Sequence, residues 1–196
     1  VSNMLKKIGF NSQTVQKPDF SKMFDLTILP GVGSFDNGMR RLNELGWSDY
    51  LKMISEDKKK RFKILGICLG MQLLSDGSEE GNLEGLSLIP GFFKRIKADN
   101  KDIKIPHMGW NEVKFLKNGK ILWPETDIRK PKFYFVHSYS YSNISTDFIC
   151  GQTEYGGNSF ASIISKDNSF GFQFHPEKSH SYGMTILEQF ISSNEQ

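Results

Sequence analysis

Short apolar runs alternate with amphipathic stretches along this chain, and the alternation predicts most of its elements. Val1, Met4, Leu5 and Ile8 recur at i, i+3, i+4 and i+7, the spacing of one helix face, and Gly9 follows as a stop. Ser12 to Gln16 reads as a short strand. Asp25 to Leu29 reads as a better one, ending in the turn Pro30-Gly31-Val32-Gly33-Ser34. Ser34 can cap a helix running to Leu45, with Gly46 as its stop. Trp47, Leu51 and Ile54 mark a further helical stretch. The run Phe62 to Ile67 predicts a strand, and Met71, Leu73 and Leu74 predict a helix directly after it.

Beyond the polar loop Ser78-Glu79-Glu80-Gly81 the pattern changes. Phe92, Phe93, Ile96, Val113, Phe115 and Ile121 suggest short antiparallel strands with charged turns. Pro106-His107-Met108-Gly109-Trp110-Asn111 reads as a loop, with Trp110 either a core anchor or an interface residue. Strands are predicted at Phe133 to Tyr139, Phe148 to Thr153, Phe160 to Ser165 and Phe170 to Phe174. Strands alternating with helices argue for the α/β class. The expected fold is a doubly wound, mainly parallel sheet flanked by helices, with a smaller antiparallel sheet added. In such sheets, sites form at the carboxyl ends of strands. The Gly31–Gly33 turn and Cys68 both lie at such ends.

Composition narrows the class. A length of 196 residues predicts one domain with a sizeable core. A hydrophobic content of 38% and a charged content of 24% suit a soluble globular protein, and a net charge of +3 is too small to argue for nucleic acid. The tract Lys58-Lys59-Lys60-Arg61 reads as a solvated helix end. No apolar run approaches the ~20 residues of a membrane span, and no signal peptide is visible. Two cysteines, Cys68 and Cys150, make no disulfide framework, which fits a reducing cytoplasm. Cys150, inside an apolar strand, reads as core.

The candidate chemistry starts at Gly66-Ile67-Cys68-Leu69-Gly70. A strand, a sharp turn and a helix with cysteine at the apex form a nucleophile elbow. The glycines allow tight backbone approach. The starting helix points N–H groups and its positive dipole end at the sulfur, where negative charge is stabilised. Taken alone, Cys68 also reads as a small buried hydrophobe. The glycine-rich turn after Leu29 offers bare N–H groups to an oxyanion, or is an ordinary strand-to-helix turn. It lacks the dinucleotide and phosphate-loop glycine patterns. Near the other end, His175 and Glu177 in Phe174-His175-Pro176-Glu177 share a side of an extended chain. A carboxylate there can hold the imidazole tautomer that leaves the other nitrogen free as a base. On its own, His-x-Glu also suits a solvated turn. A strand-end cysteine and a strand-end His-x-Glu in one α/β chain together describe a thiol triad.

Taken together, GICLGMQLL, PGVGSF, PHMGWNEV, YFVHSY and QFHPEKS resemble the class I (triad) glutamine amidotransferases. The resemblance covers nearly the whole chain, with the motifs in the family's order. More narrowly it is similar to the glutaminase subunits of imidazole glycerol phosphate synthase, from histidine biosynthesis. The resemblance implies hydrolysis of L-glutamine to glutamate and ammonia, with Cys68 as nucleophile, His175 as general base and acid, and Glu177 orienting His175. It implies an oxyanion hole from Gly31, Val32, Gly33 and Leu69, and a glutamine pocket from Gln72, Glu80, His137, Ser138 and Tyr139. Glu80 suits the substrate's ammonium group. No metal or organic cofactor is implied. The partner implied is a (β/α)8-barrel cyclase that receives ammonia through an internal channel in a heterodimer. His107, Met108, Gly109, Trp110, Asn111 and Lys178 would lie at that interface. The family opens with a strand and an Asp-Tyr-x-x-Gly-Asn stretch, whereas this chain starts inside the helix that follows, so a preceding strand is expected. The run His180-Ser181-Tyr182-Gly183 looks closer to paralogs serving amidino-sugar synthesis. A stand-alone γ-glutamyl hydrolase is a further alternative. A non-catalytic binding subunit is another, against which an intact Cys68, His175 and Glu177 argue.

Overall fold

The computed structural model describes residues 1–97, 103–124, 126–142 and 145–193. The first half follows the predicted alternation. Helix α1 is Ser2–Lys7, strand β1 is Leu26–Gly31, and helices α2 and α3 are Phe35–Leu45 and Trp47–Ser55. Strand β2, Lys63–Cys68, leads directly into the five-residue helix α4, Leu69–Leu73. Gly46 stops α2 in the left-handed region at φ 79°, where glycine carries no Cβ penalty.

Short strands follow: β3 at Gly77–Ser78, β4 at Phe92–Arg95, β5 at His107–Glu112 and β6 at Lys114–Phe115. Next come β7 at Lys132–His137, β8 at Tyr139–Ser142, β9 at Ile149–Tyr155, β10 at Asn158–Lys166 and β11 at Ser169–Phe172. Helix α5, His180–Ser192, closes the described chain.

Nine of these strands form one sheet in the order β1-β2-β11-β10-β8-β4-β3, with β9 on β10 and β6 on β9. Its parallel part is β1-β2-β11, and from β10 onward the pairing is mainly antiparallel. β5 and β7 make a separate two-stranded antiparallel sheet. Both faces of β2 are covered, which accounts for its apolar sequence from Ile64 to Cys68. Ile64 packs with Phe35, Leu51 and Ile54 from α2 and α3, whereas Leu65 and Ile67 pack with Ile186, Leu187 and Phe190 from α5. Beyond β1 lies an apolar groove of about 730 Å³, lined in part by Phe10, Val15, Leu26, Ile28 and Trp47. No helix among the described residues is long and apolar enough to cross a membrane.

Three expectations change. Ser12 to Gln16 is not a strand. It is held from the side, the Trp47 indole donating to the Gln16 carbonyl at 3.0 Å. Ile121 lies in a 3-10 helix, Lys117–Leu122. The stretch expected as a loop at His107–Asn111 is strand β5, paired along its whole length with β7.

Candidate active site

Three neighbouring parallel strands end at one edge of the sheet. Gly31 closes β1 opposite Cys68, which closes β2, and Phe172 closes β11 opposite Ile67. His175 follows β11 by three residues. Sequence-distant residues therefore meet because the strands that carry them pair in register.

The elbow at Cys68 is tight. Cys68 itself has φ 53° and ψ −108°, a left-handed conformation that a cysteine rarely adopts and that marks a functional turn. Two glycines make room for it. A Cβ on Gly66 would sit 2.5 Å from the Gly70 carbonyl, and one on Gly70 would collide with the Leu29 carbonyl oxygen. The glycines thus let α4 lie directly on β1 and β2. Helix α4 is short, so its dipole is weaker than that of a longer helix.

Cys68 is 7% exposed. Its thiol donates to the Val136 carbonyl at a sulfur–oxygen distance of 3.8 Å, and the Gln173 Nε2 lies 4.0 Å from the sulfur. His175 is buried, with Nδ1 2.7 Å from Glu177 Oε1. Its Nε2 and the second Glu177 oxygen are buried without a hydrogen-bond partner. Burial of the ring works to lower the His175 pKa. Interactions with Cys68 and Glu177 outweigh it and raise the pKa to about 9. The Cys68 thiol thus lies close enough to favour the charged imidazole. Burial acts to raise the Glu177 pKa, and the His175 bond outweighs this and holds it below the ordinary value. The backbone around His175 is fixed against β7. His175 N–H donates to the Tyr134 carbonyl at 2.9 Å. Ser179 Oγ donates to the His175 carbonyl at 2.6 Å and accepts the Tyr134 N–H at 3.0 Å.

Other predicted residues fall in varied places. Val32 projects outward, 82% exposed, and Gly33 has φ +109° with open space around it. Gln72 is buried in α4. A Glu80 oxygen accepts the Phe35 N–H at 2.8 Å, so this carboxylate caps α2 in the place predicted for the Ser34 side chain. Ser138 and Tyr139 are half-buried at the β7–β8 junction. The His137 ring is engaged through both nitrogens. It is buried, with Nδ1 2.8 Å from the Tyr139 carbonyl and Nε2 3.0 Å from His107 Nδ1.

The expected interface residues divide by strand alternation. Met108 and Trp110 are 61% and 46% exposed, but His107 is only 2% exposed and belongs to the interior. Asn111 is half-buried. Lys178 is exposed, its ammonium 5.8 Å from the Tyr134 ring centre. The sequence reading missed Gln173, which is fully buried beside Cys68 with its Oε1 unpartnered. The signal was available, because Gln173 is a polar residue inside the otherwise apolar run Phe170 to Phe174. Cys150 is buried and shares a 3.0 Å contact with Ser165 Oγ, and burial pushes its thiol pKa up. No three His, Cys, Asp or Glu side chains gather into a metal site among the described residues.

Comparison with known proteins identifies the family. A family model for class-I glutamine amidotransferases matches residues 1–193. Imidazole glycerol phosphate synthase subunit HisH 2 of Methanococcus maripaludis is 47% identical over 192 residues, covering 97% of this chain and 92% of that protein. Subunit HisH of Bacillus subtilis is 39% identical over 194 residues, covering 97% and 88%. Among solved structures, a glutamine amidotransferase superimposes with a TM-score of 0.70 at 14% identity, covering 98% of this chain and 92% of that one. PurLQS from Thermotoga maritima gives 0.69 at 18% identity, covering 97% and 90%. The two structures speak for the fold, and the family model and the sequence relatives go further: this chain belongs to the class-I glutamine amidotransferase family.

Proposed function

We propose that the chain is the glutaminase subunit of an imidazole glycerol phosphate synthase, releasing ammonia from L-glutamine for histidine biosynthesis. The observation that carries the chemistry is the convergence of Gly31, Cys68 and His175 at one sheet edge. There a buried, unpartnered imidazole nitrogen faces the thiol, and a carboxylate 2.7 Å away holds the other nitrogen.

In this reading the Cys68 thiol gives its proton to His175 Nε2 and the sulfur attacks the side-chain amide carbon. Backbone N–H groups of Leu69 and the Gly31–Gly33 turn stabilise the tetrahedral oxyanion, each such donor being worth about 3 kcal/mol of barrier. His175 then protonates departing ammonia, water attacks the thioester carbon with His175 as base, and glutamate leaves. Glu177 keeps the imidazolium oriented and charged. Glu80, beside the oxyanion turn, has one oxygen on the Phe35 N–H and the other for the substrate's ammonium group.

The relatives' names supply the pathway. A (β/α)8 barrel would dock on the outer face of β5 and β7, where Met108, Trp110 and Lys178 are exposed next to the strand whose Val136 carbonyl touches Cys68. Ammonia would pass across that face.

The test is direct. Cys68→Ser should abolish glutamine hydrolysis with the fold intact, since a hydroxyl is far less acidic than a thiol. A glutamine analogue with an electrophilic side chain should label Cys68 and leave Cys150 unmodified, as peptide mass mapping will show. Labelling at Cys150 alone, or substantial turnover by Cys68→Ser, would remove Cys68 from the nucleophile's role. Co-purification of a (β/α)8-barrel protein tests the pathway.

A further inference from the structure

Strand β5 reverses the usual alternation. Its apolar Met108 and Trp110 face outward, and its polar His107 and Asn111 face inward. The inward side chains form a chain of hydrogen bonds that the chemistry above does not use. His107 lies flat between Tyr155, with ring centres 3.9 Å apart, and Phe135, at 4.8 Å. Its Nδ1 is 3.0 Å from Nε2 of His137, its cross-strand partner.

The direction of this chain follows from its ends. His137 Nδ1 lies 2.8 Å from the Tyr139 carbonyl, which only accepts, so Nδ1 carries the hydrogen. Burial pushes the His137 pKa down to about 3 and that of His107 down to about 4, so each ring keeps a single proton near neutral pH. His137 Nε2 is then an acceptor and His107 Nδ1 its donor. His107 Nε2 in turn accepts from Asn111 Nδ2 at 3.3 Å. The Asn111 amide is oriented as well: its oxygen accepts the Glu112 N–H at 2.8 Å and its nitrogen also donates to the Glu154 carbonyl at 2.9 Å. Every link runs one way, from Asn111 through His107 and His137 to the Tyr139 carbonyl. Protonating His137 would set its Nε2–H against the His107 Nδ1–H, and protonating His107 would set its Nε2–H against the Asn111 amide N–H.

The chain ends three residues along the backbone from a carbonyl that touches the reacting sulfur. The Val136 carbonyl is 3.8 Å from Cys68 Sγ, and the backbone passes from there through His137 to Ser138 and Tyr139. His137 is also close enough to His175 for their charges to interact.

We propose that His107 is a positioning residue for glutamine binding. Acting through His137, it holds the Tyr139 carbonyl and with it the Ser138–Tyr139 turn, tying that turn to the strand whose outer face carries Met108 and Trp110. The proposal rests on the glutaminase reading of the site. In that reading the turn belongs to the glutamine pocket and would meet substrate in the ground state and the transition state alike, so loosening it weakens binding more than chemistry. Asn111 orients His107 and is the remote end of the same device.

Two variants separate position from packing. His107→Phe keeps a planar ring between Tyr155 and Phe135 and removes the donor. His107→Asn gives up the ring and keeps an N–H near the place of Nδ1. Steady-state glutaminase assays use the chain in complex with its partner barrel, and ¹⁵N NMR of the wild-type chain reads the tautomers. Both rings are expected in the Nδ1–H form, without titration between about pH 5 and about pH 8. His107→Phe should raise the glutamine KM roughly five- to tenfold, the scale of one buried hydrogen bond, with kcat within about threefold. His107→Asn should recover part of the KM. His137 in the Nε2–H form in wild type, or a wild-type KM in His107→Phe, overturns the proposal. A wild-type complex without glutaminase activity, yet with both rings in the stated tautomer, removes the glutaminase reading and the role given to His107, and leaves the hydrogen-bond chain standing.

Discussion

Replacing Glu177 by Gln removes a charge and little else, which makes it a sharp test of how His175 is poised. The Nδ1–Oε1 bond is 2.7 Å, and the imidazole it holds is buried. A hydrogen bond to a charged partner contributes about 1.5–3 kcal/mol and a neutral one about 0.5–1.5, so the change removes roughly 1–2 kcal/mol from the imidazolium. At 1.36 kcal/mol per pKa unit, the His175 pKa should fall by about one unit from its value near 9. In the proposed mechanism, the general acid that releases ammonia is then lost at lower pH. The alkaline limb of the glutaminase pH–rate profile, measured with the partner present, should move down by about one unit. kcat should fall less than in His175→Ala, because the carboxylate orients the ring whereas the ring moves the proton. Stability should follow the same logic. The His175 contribution is fully present below its ordinary pKa of 6.5 and is lost as pH rises through about 9. The Glu177 contribution is present above its ordinary 4.5 and is lost as pH falls through its lowered folded value. The difference in unfolding free energy between wild type and Glu177→Gln should therefore be largest between pH 4.5 and 6.5 and close toward alkaline pH. Coincident alkaline limbs, or a stability difference that does not vary with pH, would refute this account of the pair.

Three further outcomes follow from the geometry. Gln173→Leu removes the side-chain amide 4.0 Å from the sulfur, so alkylation of Cys68 by iodoacetamide should slow about 10- to 100-fold at fixed pH, the scale of one hydrogen bond to an anion. An unchanged rate would remove Gln173 from the site's chemistry. Gly33→Pro cannot adopt the +109° φ of that turn, so it should reduce the rate gain produced by a liganded partner more than it reduces glutamine binding. If wild type alone already runs at the rate of the complex, the turn is not what the partner controls. Gly70→Ala drives a methyl into the Leu29 carbonyl and should destabilise the fold by about 1–3 kcal/mol or more in denaturant titrations. Wild-type stability would mean that α4 can move off β1.

The local pattern of the chain was enough for the central strands, the elbow and the His-x-Glu pair. β2 is covered on both faces, so its run is apolar from Ile64 onward, and the glycines around Cys68 mark the place where a helix must lie on two strands. Cys68, His175 and Glu177 could be read as candidates because each sits at the end of such a run. The sequence also carried the resemblance on which the pathway rests. Only the tertiary structure decided which side of β5 faces inward. Apolar Met108 and Trp110 point outward and polar His107 and Asn111 point inward, the reverse of what hydrophobic alternation predicts, so the strand read as a loop. His107 tolerates burial because His137, thirty residues away in sequence, and Asn111 satisfy both of its ring nitrogens. Gln173 was visible in the sequence as a polar residue in an apolar run, but its neighbour was not. A polar side chain in an apolar run becomes meaningful only when strand pairing sets it against the sulfur of Cys68. A buried polar group is stable only with its partners, and those partners come from other elements, so its role is set by tertiary packing rather than by its neighbours in the chain.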